Sequence, residues 1–376
     1  MTKLKGMTWS HPRGYDPMVA CAKAWAEKTG VEIEWEKRSL QDFESFPVEE
    51  LAAAYDLIVI DHPHVGQITR ENCLLPLDEP AHAAEVAAIA EGTVGRSFPS
   101  YNWQGRQWGF PIDAATQVQA YRPDRLSGPV LDLAEVVTLA KAGKAILPMR
   151  PPHSLMVFFT LAAHLGFPCN VEGPELIAPA NGEAVLDWMA KLVADMDPAC
   201  FEMDPIAVFD RMSEADCPYE VVPFAYGYVS YSLAGFRPAR IAFADMPVIG
   251  GRPPQGSALG GTGIAVSAKT AAPDAAKAFA RWVASGPVQA GIYAASGGQP
   301  GHADAWVSDG VNVPTLDFYR GTRATLEGAF VRPRHDGYME FQEQASNVIT
   351  DGLRAGERHA LLVGRINQLF AQSFLK

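Results

Sequence analysis

Apolar positions in the first sixty residues recur with two alternating periods, and the alternation predicts the fold class. Residues 4–9 read as a short strand, closed by the polar turn Ser10-His11-Pro12-Arg13-Gly14. From residue 16 onward Met18, Cys21, Ala22, Trp25 and Ala26 fall at i, i+3, i+4 spacing, the mark of an amphipathic helix. Asp16 stands where an N-cap belongs and Pro17 where the first helical residue belongs, and Gly30 stops the run. Val31-Glu32-Ile33-Glu34-Trp35 alternates with period two, and Leu57-Ile58-Val59-Ile60 is apolar throughout, as buried parallel strands are. Strand, helix, strand, helix, strand predicts a doubly wound α/β domain, whose ligand crevice lies beyond the carboxyl ends of its strands. Two turns fall there: residues 10–14, and Asp61-His62-Pro63-His64.

The middle of the chain, from about residue 114 to 259, carries helical patterns of its own, as over 155–165 and 184–194. Near the end the α/β pattern resumes, with Gly263-Ile264-Ala265-Val266 as a strand and 273–283 as a helix carrying Asp274 in its first turn. Residues 338–374 keep helical spacing, interrupted near Gly356, and no internal repeat is visible. A length of 376 residues with 48% hydrophobic content supports two domains, each with a core. Gly 33 and Pro 29 are spread along the chain as turn punctuation.

A net charge of −12 with no cluster of Lys and Arg argues against nucleic acid or an anionic membrane surface as partner. The cysteines Cys21, Cys73, Cys169, Cys200 and Cys217 are odd in number and form no CxxC pair, so reduced, buried thiols are expected. The start of the chain lacks the apolar stretch of roughly 7–15 residues that an export signal needs. No run is long enough to span a bilayer, so direct membrane insertion is not expected. The chain as it stands is thus expected in the cytoplasm, with a periplasmic location following if its start is truncated or processed.

Candidate chemistry gathers at the strand ends. His11, His62 and His64 are three of nine histidines, and Ser10, Arg13 and Asp61 accompany them. Such a set can clamp an anionic or polyhydroxylated ligand, with Arg13 pairing fork-like and the imidazoles hydrogen bonding. It can hold a metal, or carry acid–base chemistry. Alternatively, His62 and His64 flank Pro63 only to cap a strand; in an extended turn, two residues apart, they would share a face. Asp113 follows Gly109-Phe110-Pro111-Ile112 and either meets a ligand or caps a turn. Tyr226 and Tyr228 offer flat faces and hydroxyls, and share a face only if their segment is extended. Gly260-Gly261-Thr262-Gly263 precedes a strand instead of following one, so it fails the dinucleotide fingerprint. Close backbone approach is the better account of Gly261 and Thr262. His153 and Arg150 stand at the start of a helix with Ser154 as its N-cap, a setting that can receive an anion. Arg332-Pro333-Arg334-His335 reads as a basic surface spot. No nucleophile elbow or Walker loop appears, and no cofactor or metal is implied.

Several segments together carry a resemblance. Tyr55-Asp56-Leu57-Ile58-Val59-Ile60-Asp61 with the sequel Leu74-Leu75-Pro76-Leu77-Asp78, then Gly105-Arg106-Gln107-Trp108-Gly109-Phe110-Pro111 and Ala120-Tyr121-Arg122-Pro123-Asp124, stand in a familiar order. Met246-Pro247-Val248 through Gly263-Ile264-Ala265-Val266-Ser267, and Ala275-Ala276-Lys277-Ala278-Phe279 through Gly298-Gln299-Pro300, complete it. Over nearly its whole length the chain resembles the family 1 extracellular solute-binding proteins of carbohydrate-type ABC importers. The resemblance implies a periplasmic-binding-protein-like fold of two doubly wound α/β lobes joined by hinge strands. Lobe one would be residues 1–112 plus 263–310, and lobe two 113–262 plus 311–376. It implies a protein that shuts on a small polar ligand (a sugar, sugar acid or other carboxylate) and, if exported, delivers it to an ABC permease; a monomer is expected. Such sites usually offer several tryptophans, where this one offers histidines. The alternative is a cytoplasmic lyase, isomerase or hydrolase on the same scaffold. It would need no organic cofactor and would use His11, His62 and His64 for acid–base or metal-assisted chemistry.

Overall fold

Strand β1 (Lys3–Trp9) buries Leu4, Met7 and Trp9, and it sets the direction of the first sheet. In chain order there follow β2 (Glu32–Arg38), β3 (Leu57–Ile60), β4 (Leu74–Leu75), β5 (Asn102–Trp103) and β6 (Arg106–Gln107). Then come β7 (Phe110–Tyr121), β8 (Val221–Tyr226), β9 (Ala242–Ala244) and β10 (Leu259–Ser267). The structure, a computed structural model, describes residues 2–39 and 48–375. Its chain divides into two units: residues 1–115, 260–311 and 334–336, and residues 116–259, 312–333 and 337–376.

In the first unit β1 pairs parallel with β2 on one side and with β3 on the other, with Met7 opposite Ile58. β10 runs antiparallel along β3, placing Gly263 opposite Ile60. β3 is buried at every position, as its unbroken apolar run requires. The helix Pro12–Thr29 connects β1 to β2 and lays Met18, Cys21, Ala22 and Trp25 against the sheet, the face that the periodicity marked. Its start differs from the sequence reading. His11 is the N-cap, Pro12 takes the first turn, Pro17 lies inside the helix and Asp16 is exposed. The imidazole Nδ1 of His11 accepts the Arg13 N–H at 3.1 Å, so a histidine does the capping that a carboxylate was expected to do. Gly14 then becomes a helical residue pressed on Trp9, whose ring lies 2.4 Å from where a Cβ would stand. Gly30 closes the helix in the left-handed region at φ 75°.

In the second unit β7 pairs antiparallel with β8 and β9. Around them pack helices Leu133–Lys141, His153–His164, Pro179–Val193, Pro205–Met212, Phe318–Glu327, Tyr338–Ala355 and His359–Ser373. The helix His153–His164 is buried at all but one of its positions, which explains its lack of a polar face. The interruption in the tail is the C-cap Gly356, left-handed at φ 64°. Gly260, Gly261, Thr262 and Gly263 lie within β10 and do not precede it. All five cysteines are free and buried.

The first unit's helices lock together through aromatic rings. Phe279 is fully buried, with ring centroids of Trp25 at 5.9 Å, Trp282 at 5.9 Å and Trp35 at 6.3 Å. Phe279→Ala is expected to cost about 3–5 kcal/mol, because that cage cannot collapse around a methyl group. The urea midpoint of the tryptophan-fluorescence transition measures it.

Candidate functional site

Because β1 and β3 run parallel with Met7 opposite Ile58, the residues that follow them leave the sheet at one edge. His11 stands there as the helix cap. Beside it, residues His62–His64 form a 3-10 turn with Asp61 as N-cap. The Asp61 carboxylate accepts the His62 N–H at 2.8 Å and stands 3.1 Å from the His62 ring Nδ1. The extended turn expected from the sequence is therefore absent. In a 3-10 turn, residues two apart point in different directions, so His62 and His64 do not share a face. Both are nonetheless buried, as is His11. His62 meets the edge of Tyr101 at 6.2 Å, and the Tyr101 hydroxyl donates to the carbonyl of Ile60 at 3.1 Å. Tyr101, unmarked by any motif, has its ring 2.7 Å from where Gly263 would carry a Cβ, so only the missing Cβ lets it cross β10. Ser10 is exposed, and its backbone N–H donates to the Arg38 carbonyl at 2.6 Å.

Arg13 and Asp113 form a buried ion pair, with side chains 4% and 0% exposed. The Arg13 Nε donates to Asp113 Oδ2 at 2.8 Å, and Nη2 donates to Oδ1. The fork expected for a ligand carboxylate thus holds a carboxylate of the protein. Burial pushes the Asp113 carboxyl up from its usual range, and the Arg13 guanidinium opposes that rise. The backbone around Asp113 is equally committed: the Ala114 N–H donates to the Gln299 carbonyl at 3.1 Å, and Gln299 Nε2 returns to the Ala114 carbonyl at 2.8 Å. Gly261, at φ 86°, passes so close that a Cβ there would lie 2.3 Å from the Asp113 carbonyl oxygen. Close backbone approach does account for this glycine. Thr262 beside it is buried, and its hydroxyl has no hydrogen-bond partner among the described residues. Among the described residues no three His, Cys, Asp or Glu side chains gather as a metal site would need.

In the second unit the helix begins at His153, after the cis peptide Pro151–Pro152. Ser154 is not its cap. The Ser154 hydroxyl lies inside, donating to the Ser346 carbonyl at 3.0 Å and accepting from Thr350 at 2.9 Å. His153 is buried and meets the Tyr226 ring edge-on at 6.3 Å. Burial pulls its imidazole down to about 4, and Arg150 and Arg332 add to this against the pull of Asp204. It is therefore neutral at pH 7. Tyr226 ends β8 as the ladder partner of Gln117, whereas Tyr228 caps the next 3-10 turn and packs on Phe209 and Tyr231 at 6.3 and 6.5 Å. Of the two tyrosines, only Tyr226 is left half-buried. Gln117 is fully buried, takes the Thr160 hydroxyl on Oε1 at 2.6 Å, and has no partner for Nε2 among the described residues. A glutamine in a strand gives no pattern that would single it out.

The basic spot at 332–335 is not a surface feature. Arg332 is buried in the second unit, donating to the Leu259 carbonyl at 3.1 Å and to Gln342 Oε1 at 3.0 Å. In the first unit Arg334 donates to the carbonyls of Ser100 and Asn102 at 2.8 and 2.9 Å. His335 is buried there, and burial holds it down at about 4. Carbonyl acceptors make such burial tolerable for guanidinium groups.

The sequence profile of the family described as bacterial extracellular solute-binding protein matches residues 20–312, and the chain belongs to that family. Among solved structures it is similar to an ABC transporter solute-binding protein of Agrobacterium radiobacter K84 in complex with ribitol. That match has a TM-score of 0.80 at 16% identity, covering 99% of this chain and 98% of that one. It is also similar to maltose-bound T. maritima MalE3, with a TM-score of 0.84 at 14% identity and complete coverage of both chains. A third is an ABC transporter solute-binding protein of Thermotoga lettingae TMO bound with alpha-D-tagatose. There the TM-score is 0.83 at 14% identity, over 99% of this chain and 100% of that one. At these identities the likeness establishes the fold, which is periplasmic-binding-protein-like. No curated protein sequence matches the chain significantly.

Two outcomes follow from the buried charges. Asp113→Asn is expected to cost about 3–5 kcal/mol, since it strands the guanidinium, while Arg13→Met combined with Asp113→Leu restores most of the loss. Urea midpoints of the two variants and the parent chain measure this. The folded-state pKa of His153, about 4, lies below its ordinary 6.5, so between those values the unfolded chain takes up a proton that the folded one refuses. Stability therefore falls as pH drops through that window, and His153→Asn flattens part of the slope in a urea–pH series.

Proposed function

We propose that this protein binds a neutral polyhydroxylated solute, a sugar or sugar alcohol, outside the cytoplasmic membrane and passes it to an ABC permease. The observation that carries the ligand class is the Arg13–Asp113 pair. The cation that the sequence offered to an anionic ligand is already matched by a buried carboxylate in bidentate geometry. Beside that matched pair the first unit's strand edge offers imidazoles and the Thr262 hydroxyl, and such groups suit ligand hydroxyls, each of which donates and accepts. The candidate contacts on this reading are His11, His62 and Thr262 at the strand edge of the first unit. The polyols bound by the similar proteins (ribitol, maltose, tagatose) belong to the same chemical class. The family's extracellular designation supports the location, and the ABC transporter role of those proteins supports the permease. The family and the similar proteins support binding and transport, not acid–base catalysis by His11, His62 and His64.

Isothermal titration of the purified chain with ribitol, maltose and tagatose tests this reading, with gluconate and glucarate as anionic counterparts. At least one neutral solute is expected to bind with a Kd of about 1 μM or tighter, and the anions at least about a hundredfold more weakly. Tight binding of the sugar acids with no response to neutral polyols would sink the proposal.

A further inference from the structure

The first unit contains a cavity of about 500 Å³ that is separate from the strand edge just described. Helix Pro12–Thr29 leaves β1 at its carboxyl end and returns to start β2, which runs parallel to β1. Its last turns, with Trp25 and Lys28, therefore lie toward the amino ends of the strands, away from His11 and Asp61. Trp25 and Lys28 line the cavity together with His82, Glu85, Arg281, Trp282 and His302.

The polar side of the cavity is an ordered array. Arg281 is 7% exposed, and its guanidinium reaches Glu79 at 3.4 Å and Glu85 at 3.3 Å. Its Nη2 lies 3.1 Å from His82 Nε2. Arginine only donates, so His82 Nε2 accepts and Nδ1 carries the proton toward Glu85 Oε1, 3.1 Å away. Glu79 also takes the Lys277 ammonium at 2.7 Å. The Lys277 contact holds the Glu79 carboxyl below its usual range, and the His82 contact does the same for Glu85. The charge of Arg281 is thus matched by two carboxylates.

Opposite stands His302, 8% exposed, with Nδ1 accepting the Asp304 N–H at 3.3 Å. That bond leaves the hydrogen on Nε2, which donates to no described residue. The ring occupies the space that Cβ atoms at Gly92 and Gly286 would take, at 1.8 and 2.8 Å. The apolar wall is the pair Trp25 and Trp282, with centroids 5.1 Å apart, and Trp282 is half-buried.

We propose that this cavity is a second ligand site and that it takes a neutral sugar ring, independently of the solute bound at the strand edge. The apolar C–H face of the ring packs on Trp282, and its hydroxyls meet the Nε2–H of His302, the Glu85 carboxylate and the rim of His82. An anion entering here meets Glu85 and Asp304, and a cation meets Arg281 and Lys28, so the pairing of charges selects against both.

The test is fluorine NMR of the full chain carrying 5-fluorotryptophan, with the two resonances assigned through Trp25→Phe and Trp282→Phe. The chain is titrated with glucose and maltose, and with glucuronate and glucosamine as charged counterparts. The Trp282 signal is expected to move saturably with a neutral sugar, and the charged pair to bind at least about tenfold more weakly. Ala88→Phe fills the cavity from an exposed lining position; it is expected to abolish the shift while leaving the melting temperature and calorimetric binding at the strand edge unchanged. A Trp282 signal unmoved by both neutral sugars overturns the proposal. So does a shift that survives in Ala88→Phe, or one of equal strength with the charged sugars. If calorimetry finds no strand-edge ligand while the Trp282 shift persists, the transport reading fails and this one stands.

Discussion

The ion pair between Arg13 and Asp113 is the constraint around which the first unit's strand edge is arranged. Each side chain is almost wholly out of water, and neither charge is tolerable there alone, so the two segments that carry them must meet. One is the first turn of a helix and the other is the entry to β7, 100 residues further along the chain. Their meeting point leaves so little room that Gly261 passes the Asp113 carbonyl without a Cβ. Gln299 then ties the next residue's backbone on both sides. Backbone, glycine and charge are therefore one device, and altering any member disturbs the others.

That device also decides what kind of chemistry remains at the edge. With the guanidinium matched, two of the surrounding histidines have structural duties. His11 caps a helix, and His62 is gripped by Asp61. In the second unit burial pulls the His153 imidazole down, and desolvation there outweighs Asp204. The cavity behind Trp282 matches its buried cation in a related way, Arg281 meeting two carboxylates.

Where the pattern was local, the chain was readable. The buried face of the helix Pro12–Thr29, the four-residue strand β3 and the break between the tail helices at Gly356 all follow from spacing within a few residues. The order of the segments carried the family and its fold. Local competition was harder: His11 with Pro12 and Asp16 with Pro17 are both plausible helix starts, and the earlier one also brings Gly14 onto Trp9. The turn at His62 to His64 tightened to 3-10 geometry because Asp61 reaches its first N–H, which removes the shared face that an extended turn would give.

What the sequence by itself determined was periodicity, and with it the class of each element and the side of it that faces inward. Those properties depend on neighbours three or four positions away, or two in a strand, and need no knowledge of the rest of the chain. Tertiary structure alone decided which charges meet. It brought Arg13 to Asp113, and it buried Arg332 against the Leu259 carbonyl and Gln342 where a surface residue was expected. It slid Tyr101 across a strand at a glycine and parted Tyr226 from Tyr228. The reason is the range of the interactions. A charge is stabilised by whichever opposite charge or carbonyl the fold brings within hydrogen-bond reach, and sequence spacing carries no trace of that choice.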